Sequence, residues 1–229
     1  MEISAQAREQ ARDLLNFIDA SPSPWHAVQT VADRLQRSGF VALREDERWQ
    51  LAPGGRYYVI RGGASIVAFT VGRDDLAASG FRLVGAHTDS PGLRVKPRAL
   101  QGGDGLLRLG VEVYGGPILA TFADRDLSLA GRVAVRNGEG IEMRLVRFAE
   151  PLLRLPNLAI HMNREVNDNG LKFNKQTELP LVLDLAGDGP VEDGRFHALL
   201  ATQLAVAPAD ILSWELCVCD TQPGAFWGA

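Results

Sequence analysis

The sequence has little cysteine, no long apolar run and no block of like charges. Its only cysteines, Cys217 and Cys219, lie so close together that a disulfide between them would be strained. We therefore expect two reduced, buried strand residues and a cytoplasmic protein. No apolar stretch approaches the ~20 residues of a membrane-spanning helix. The amino terminus carries charges where a secretory signal is apolar.

Composition and charge exclude further classes of protein. The formal net charge is −4 with both signs interspersed, which argues against nucleic acid or an anionic membrane as the main partner. Hydrophobic residues make up 46% and charged residues 23% of the 229 residues, which is typical of a globular rather than a disordered chain.

Common catalytic motifs are also absent. The sequence contains no H-E-x-x-H, C-x-x-C, G-x-S-x-G, Walker or G-x-G-x-x-G pattern. Its four histidines are scattered at positions 26, 87, 161 and 197. Because a zinc site needs three or four protein ligands, the sequence contains no self-evident complete metal site.

The first third of the chain predicts an α/β layer structure. Two amphipathic helices are expected, and Ser23, Pro24 and Gly39 have the positions of start and end signals for the second. Gly62-Gly63 joins two strand-like runs in a predicted hairpin. Residues 81–87, FRLVGAH, are apolar on both faces, which predicts a central strand in a covered sheet.

From about Lys96 the pattern changes to alternating strands around turns such as Asn137-Gly138, which predicts a β-rich module. A helix stopped near Pro208 and a last strand follow. We predict three segments: 1–95, the amino-terminal part of an α/β domain; 96–212, the β-rich domain; and 213–229, a return strand of the first domain. The α/β part is expected to be incomplete at Ala229.

Two side chains that could carry chemistry follow the predicted central strand. In the stretch LVGAHTDSPGL, His87 and Asp89 would point the same way, because side chains alternate along a strand. Ligands bind beyond the carboxyl ends of strands in open α/β sheets. His87 would be a metal ligand or a general base, and Asp89 would orient its imidazole or hold a second group. The same triplet also fits an ordinary strand end.

His161 is a further candidate, since it follows an apolar run and precedes Asn163 and Arg164. It could donate a hydrogen bond to a developing oxyanion, or it could be an ordinary histidine of a surface loop. We interpret His26 as a residue with a helix-packing or surface role and His197 as a structural residue, both near helix starts.

These motifs resemble those of the aspartyl aminopeptidases, the M18 family of metallopeptidases. The similarity is found, in order and over nearly all of the chain, in FIDASPSPWHAV, LVGAHTDSPGLRVKP, VEVYGGPILATFADRDLSLAGRV, LPNLAIHMNREVN and WELCVCDTQP. The resemblance implies a zinc-aminopeptidase catalytic domain of the phosphorylase/hydrolase-like α/β type, interrupted by a β-rich dimerisation domain.

The resemblance also implies roles for the candidate residues. His87 would be a ligand of one of two zinc ions, and Asp89 the acid that orients it. His161 would enter the active site of a neighbouring subunit and help to bind or polarise the scissile carbonyl. Such enzymes remove N-terminal Asp or Glu from peptides with metal-activated water, and they assemble as dimers and tetrahedral dodecamers.

Family chains continue well past the segment DTQP, and the remaining metal ligands, the general base and the basic residues for an acidic substrate have no counterpart here. We therefore expect the amino-terminal part of an acidic-residue aminopeptidase that is inactive alone. Two alternatives stay open: a non-catalytic assembly module that keeps only the self-association domain, and a hydrolase of a sister family with other substrates.

Overall fold

The computed structural model describes residues 3–186, 191 and 194–228. The chain divides into two compact units, one containing residues 1–90 and 224–229 and the other residues 91–223. The first unit contains helices α1 (Ala5–Asp19), α2 (Pro24–Arg37) and α3 (Leu76–Ser79), and strands β1 (Val41–Leu43), β2 (Arg56–Arg61) and β3 (Ser65–Thr70).

Helix α2 begins where the sequence predicts. The hydroxyl of Ser23 accepts a hydrogen bond from the amide of His26, and Pro24 occupies the first helical position. Trp25 and Val28 on its inner side are 4% and 2% exposed. Gln36 at the far end donates to the hydroxyl of Tyr58 on β2 over 2.7 Å, so α2 packs on the small sheet of this unit.

That sheet has the order β1-β2-β3, with β1 parallel and β3 antiparallel to β2. The predicted hairpin between β2 and β3 is confirmed, but its turn has three residues rather than two, because Arg61 pairs with Ser65. Gly62 and Gly63 in this turn have positive φ, of 60° and 72°. Only glycine adopts this geometry without steric cost.

The predicted central strand over residues 81–87 is wrong. These residues belong to no strand, and Phe81, Leu83 and Val84 are 76%, 89% and 102% exposed. A strand that is apolar on both faces needs a neighbouring strand and covering layers. The described part of the chain supplies neither of them at this position.

The second unit is built on one large sheet. It contains β4 (Gly92–Gly103), β5 (Leu106–Tyr114), β6 (Leu127–Asn137), β7 (Gly140–Arg147), β8 (Leu181–Leu185), β9 (Ile211–Asp220) and helices α4 (Val166–Asn169) and α5 (Gly194–Leu204), with 3₁₀ turns at Leu119–Phe122 and Pro208–Asp210. The sheet order is β7-β6-β9-β4-β5-β8, and all neighbours are antiparallel. The prediction of a β-rich module is confirmed.

Alternating apolar residues of these strands form the core of the second unit. Leu109, Leu129 and Val133 are fully buried, and burying a side chain of this size contributes about 2 kcal/mol. Helix α5 packs on the same side of the sheet, where Phe196 meets Trp214 edge to face at 5.1 Å.

The predicted segment boundaries need two corrections. The first unit gives way to the second between residues 90 and 91 rather than 95 and 96. Residues 213–223 do not return to the first unit, because β9 pairs with β6 over most of its length and so belongs to the large sheet. Of the described residues after β9, 224–228 return to the first unit, where the amide of Gly224 donates to the carboxylate of Asp19 over 2.9 Å. Among the described residues, no helix is long and apolar enough to cross a membrane.

Candidate functional site

His87 lies in the exposed segment that ends the first unit. Its Nδ1 donates a hydrogen bond to the main-chain carbonyl oxygen of Asp89, which can only accept. This contact uses Nδ1–H, so in the neutral imidazole the lone pair is on Nε2, where it can bind a cation. Histidine ligands of metals commonly donate their other ring N–H to a backbone carbonyl in this way.

Thr88, the residue after His87, attaches this turn to the rest of the first unit. Thr88 donates its hydroxyl proton to the carbonyl oxygen of Ala64, in the β2–β3 hairpin, over 2.6 Å. Thr88 and Asp89 are half-buried whereas His87 is exposed, so the turn presents the imidazole outward. Reasoning from the sequence missed Thr88, because nothing in the local pattern indicates a contact with a residue 24 positions earlier.

His161 lies in the second unit, in an exposed loop after Leu155. The loop is attached at its start, where the Asp124 carboxylate accepts a hydrogen bond from the amide of Asn157 over 3.1 Å. Asp124 itself has φ of 56°, a left-handed conformation that Asp tolerates better than most residues. The sequence pattern did not predict this hydrogen bond between Asn157 and Asp124.

Exposed apolar side chains flank His161 in this loop. Leu158, Ile160 and Met162 are 56%, 51% and 69% exposed. Exposed apolar side chains around a histidine are more typical of a surface covered by another molecule than of a surface that stays in water. His87 and Asp89 belong to the first unit and His161 to the second.

The remaining histidines have structural contacts. His26 shares a 2.7 Å hydrogen bond between its Nδ1 and the hydroxyl of Ser23 at the start of α2. The ring of His197 lies edge to face against Trp214 at 5.2 Å. Both contacts agree with the roles predicted for these two histidines.

The two cysteines are free thiols on β9, as predicted, but they are half-buried rather than buried. Burial raises the pKa of the Cys219 thiol to about 11, against a smaller opposing effect of the Arg147 charge. A thiol that stays protonated at neutral pH is a poor metal ligand and a poor nucleophile.

Comparison with known proteins decides the family. Residues 17–229 match the family described as "Aminopeptidase I zinc metalloprotease (M18)". The chain belongs to the M18 family. M18 proteins are aminopeptidases, so the predicted hydrolase class is confirmed at the level of the family.

Curated M18 relatives are similar along almost the whole chain. "Probable M18 family aminopeptidase 2" of Azotobacter vinelandii (strain DJ) is 48% identical over 225 residues, which are 96% of this chain and 52% of the relative. The protein of the same name from Pseudomonas fluorescens (strain SBW25) is 50% identical over 220 residues, 94% of this chain and 50% of the relative. The chain thus spans about half the length of the curated relatives it matches.

Solved structures confirm the expected fold. A chain in the cryo-EM structure of the Ape4 and Nbr1 complex matches with a TM-score of 0.89 and 35% identity, over 100% of this chain and 48% of that one. The structure of Chaetomium thermophilum mApe1 matches with a TM-score of 0.84 and 31% identity, over 95% of this chain and 52% of that one. The fold is therefore part of the α/β architecture of M18 aminopeptidases.

The family description names zinc, but the described residues do not form a complete zinc site. No group of three or more His, Cys, Asp or Glu side chains that could hold a metal occurs among them. His87 offers one nitrogen and Asp89 one carboxylate, whereas zinc takes three or four protein ligands. The described residues therefore do not by themselves supply a complete set of zinc ligands.

Proposed function

We propose that this chain is the amino-terminal part of a zinc-dependent M18 aminopeptidase that removes Asp or Glu from the amino terminus of peptides, and that it is inactive alone. The observation that carries the proposal is the state of His87. Its Nδ1 donates to the Asp89 carbonyl and its side chain is exposed, an arrangement that metal-binding histidines commonly have. We assign His87 as a zinc ligand and Asp89 as the residue that positions it.

The absence of a three-ligand group among the described residues supports inactivity of the isolated chain. One imidazole and one carboxylate cannot hold a dication against water. The other ligands would come from the part of the relatives that this chain does not span.

We further propose that the protein self-associates and that His161 enters the active site of a neighbouring subunit. There its ring would donate a hydrogen bond to the oxygen of the scissile carbonyl. The apolar residues beside it, Leu158, Ile160 and Met162, are exposed in the single chain and would be covered in an assembly. The structure of S. cerevisiae mApe1, which has the same fold, is that of a dodecamer.

A chimera tests the catalytic proposal. This chain replaces the matching half of the Azotobacter vinelandii relative, and release of Asp, Glu, Leu and Ala from peptides is measured together with zinc per chain. We expect the chimera to bind zinc and to prefer Asp or Glu, and the isolated chain to do neither. His87→Ala should lower the zinc content per chain and abolish turnover, whereas His26→Gln, a matched histidine at a helix start, should leave the zinc content unchanged.

Two results would overturn the proposal. If the isolated chain binds stoichiometric zinc and releases Asp, the statement that it is inactive alone is wrong. If the chimera prefers Leu or Ala, the acidic specificity is wrong and a sister-family activity is favoured.

The second candidate function is a non-catalytic assembly module. The core of the second unit favours it, because the described residues of that unit include buried apolar side chains from six strands and α5. A chimera that folds and assembles but binds no zinc would support this alternative.

A further inference from the structure

Strand β7 lies at one end of the large sheet with most of its edge uncovered. At the opposite end, β8 is covered, because Arg154 and Val182 exchange main-chain hydrogen bonds of 3.0 and 2.8 Å. On β7 the side chain of Gln203 donates to the carbonyl of Arg147 over 3.0 Å. Among the described residues no other segment pairs with the outer edge of β7.

The free hydrogen-bonding groups of this edge belong to alternate residues. The amide of Phe148 donates to the carbonyl of Leu129 on β6, which fixes the alternation along the pair. The main-chain groups of Ile141, Met143 and Leu145 therefore point away from β6. Their side chains share one face and are 70%, 48% and 39% exposed. An apolar edge strand of this kind is a template for pairing with another strand.

The sequence of β7 is complementary to itself when reversed about Met143. In an antiparallel pair centred there, Ile141 lies opposite Leu145, and Glu142 lies opposite Arg144. The free main-chain groups of the three apolar residues also face one another in this register. Centring the pair on Glu142 or on Arg144 would instead place like charges together on the axis, which is unfavourable.

We propose that β7 pairs antiparallel with β7 of a second copy of this chain, with the two-fold axis at Met143, so that the two large sheets become continuous. The proposal rests on the self-association proposed above and names the surface that makes it. It involves no zinc ligand and no catalytic group, and so its failure leaves the catalytic proposal standing.

Cysteine crosslinking tests the register. Hydrogen-bonded antiparallel partners have Cα atoms about 5.5 Å apart, within the range of a disulfide. Met143→Cys in the full chain should therefore form a covalent dimer on mild oxidation. Ile141→Cys is the matched control on the same strand: its two copies would be about 13 Å apart, and it should form none. A mixture of Ile141→Cys and Leu145→Cys chains should form the heterodimer.

Charge variants test the same pairing without a covalent bond. Glu142 and Arg144 also contact each other within one strand over 2.8 Å, so the inter-chain contact must be isolated. Glu142→Arg or Arg144→Glu alone should weaken the dimer about tenfold, because like charges then lie opposite one another. Mixing the two variants restores opposite charges across the interface but not within either strand, and should restore a heterodimer.

The measurement is sedimentation velocity over a concentration series, with circular dichroism as the check that each variant folds. A wild-type chain that stays monomeric at high micromolar concentration would overturn the proposal. Equal crosslinking of Met143→Cys and Ile141→Cys, or a dimer that both charge variants leave unchanged, would overturn it as well.

Discussion

The Nδ1 atom of His87 donates a hydrogen bond to the main-chain carbonyl oxygen of Asp89. Because the acceptor belongs to the main chain, we predict that Asp89→Ala leaves His87 in the Nδ1–H tautomer. Long-range ¹H–¹⁵N spectra of the chain report the tautomer, and His87→Gln assigns the signal among the four histidines. A change to the Nε2–H tautomer in Asp89→Ala would mean that the carboxylate, rather than the carbonyl, orients the ring.

Strands β6 and β9 approach each other closely at Gly131. A methyl group there would lie 2.1 Å from the carbonyl oxygen of Glu215 and 2.9 Å from the Cα of Leu216, both main-chain atoms. We predict that Gly131→Ala lowers the free energy of unfolding by about 1–3 kcal/mol, as overpacking does. Urea unfolding measures this.

Gly140→Ala is the matched control in the same sheet, because the nearest atom to its methyl group would be the carbonyl oxygen of Asn137 at 3.6 Å. It should change stability by less than about 0.5 kcal/mol. Equal losses in the two variants would contradict the role given to close strand approach.

Burial of Cys219 predicts a pH dependence. Its pKa is raised to about 11 in the folded chain, so the folded state holds its proton after the unfolded state has lost it. The corresponding stabilisation is complete below the pKa of the unfolded thiol and is lost as pH rises towards about 11. Near pH 8, alkylation of Cys219 in the folded chain should be roughly a hundredfold slower than in urea. The Cys217→Ser variant removes the other thiol, and equal rates in both states would contradict the burial.

The cap of α2 should contribute more to stability than that of α1. Ser23 is 5% exposed and binds the amide and ring of His26, whereas Ser4 caps a helix without buried residues. We predict that Ser23→Ala costs about 1 kcal/mol or more and that Ser4→Ala costs less. Thermal unfolding of the two variants measures the difference, and the reverse order would show that α1 is part of the cooperative core.

The exposure of residues 81–87 predicts rapid hydrogen exchange. Their amides should exchange much faster than those of β6 and β9, which lie inside the large sheet. In the chimera with the Azotobacter vinelandii relative, exchange of this segment should slow. Protection that is already high in the isolated chain would show that something covers the segment in solution.

Local signals in the sequence predicted much of this fold. Gly62-Gly63 and Asn137-Gly138 predicted two hairpins, and both hairpins form, because glycine at a turn is a local signal. The turns themselves differ from the prediction: the first spans the three residues 62–64, and the second consists of Gly138 and Glu139, with positive φ at the glycines alone. Residues 81–87 were misassigned, because an apolar run predicts a strand only if other parts of the protein surround it. The place of β9 between β6 and β4 was also missed, because pairing between distant segments leaves no local pattern.

The candidate site shows the same division. His87, Asp89 and His161 were found by residue type and by the family resemblance. The contacts that hold them, from Thr88 to Ala64 and from Asn157 to Asp124, join residues 24 and 33 positions apart. No rule based on residue spacing predicts a contact between residues so far apart in the sequence, so these contacts are seen only in the three-dimensional structure.

The position of β9 also bears on how the chain is made. Arg94 of β4 pairs with Cys217 of β9, and β6 pairs with β9 along most of its length. During synthesis, β4 and β6 therefore cannot form the middle of the sheet until β9, which ends at Asp220, has left the ribosome. Such distant pairing makes folding slow, and we expect nascent chains to need protection from aggregation until that strand emerges.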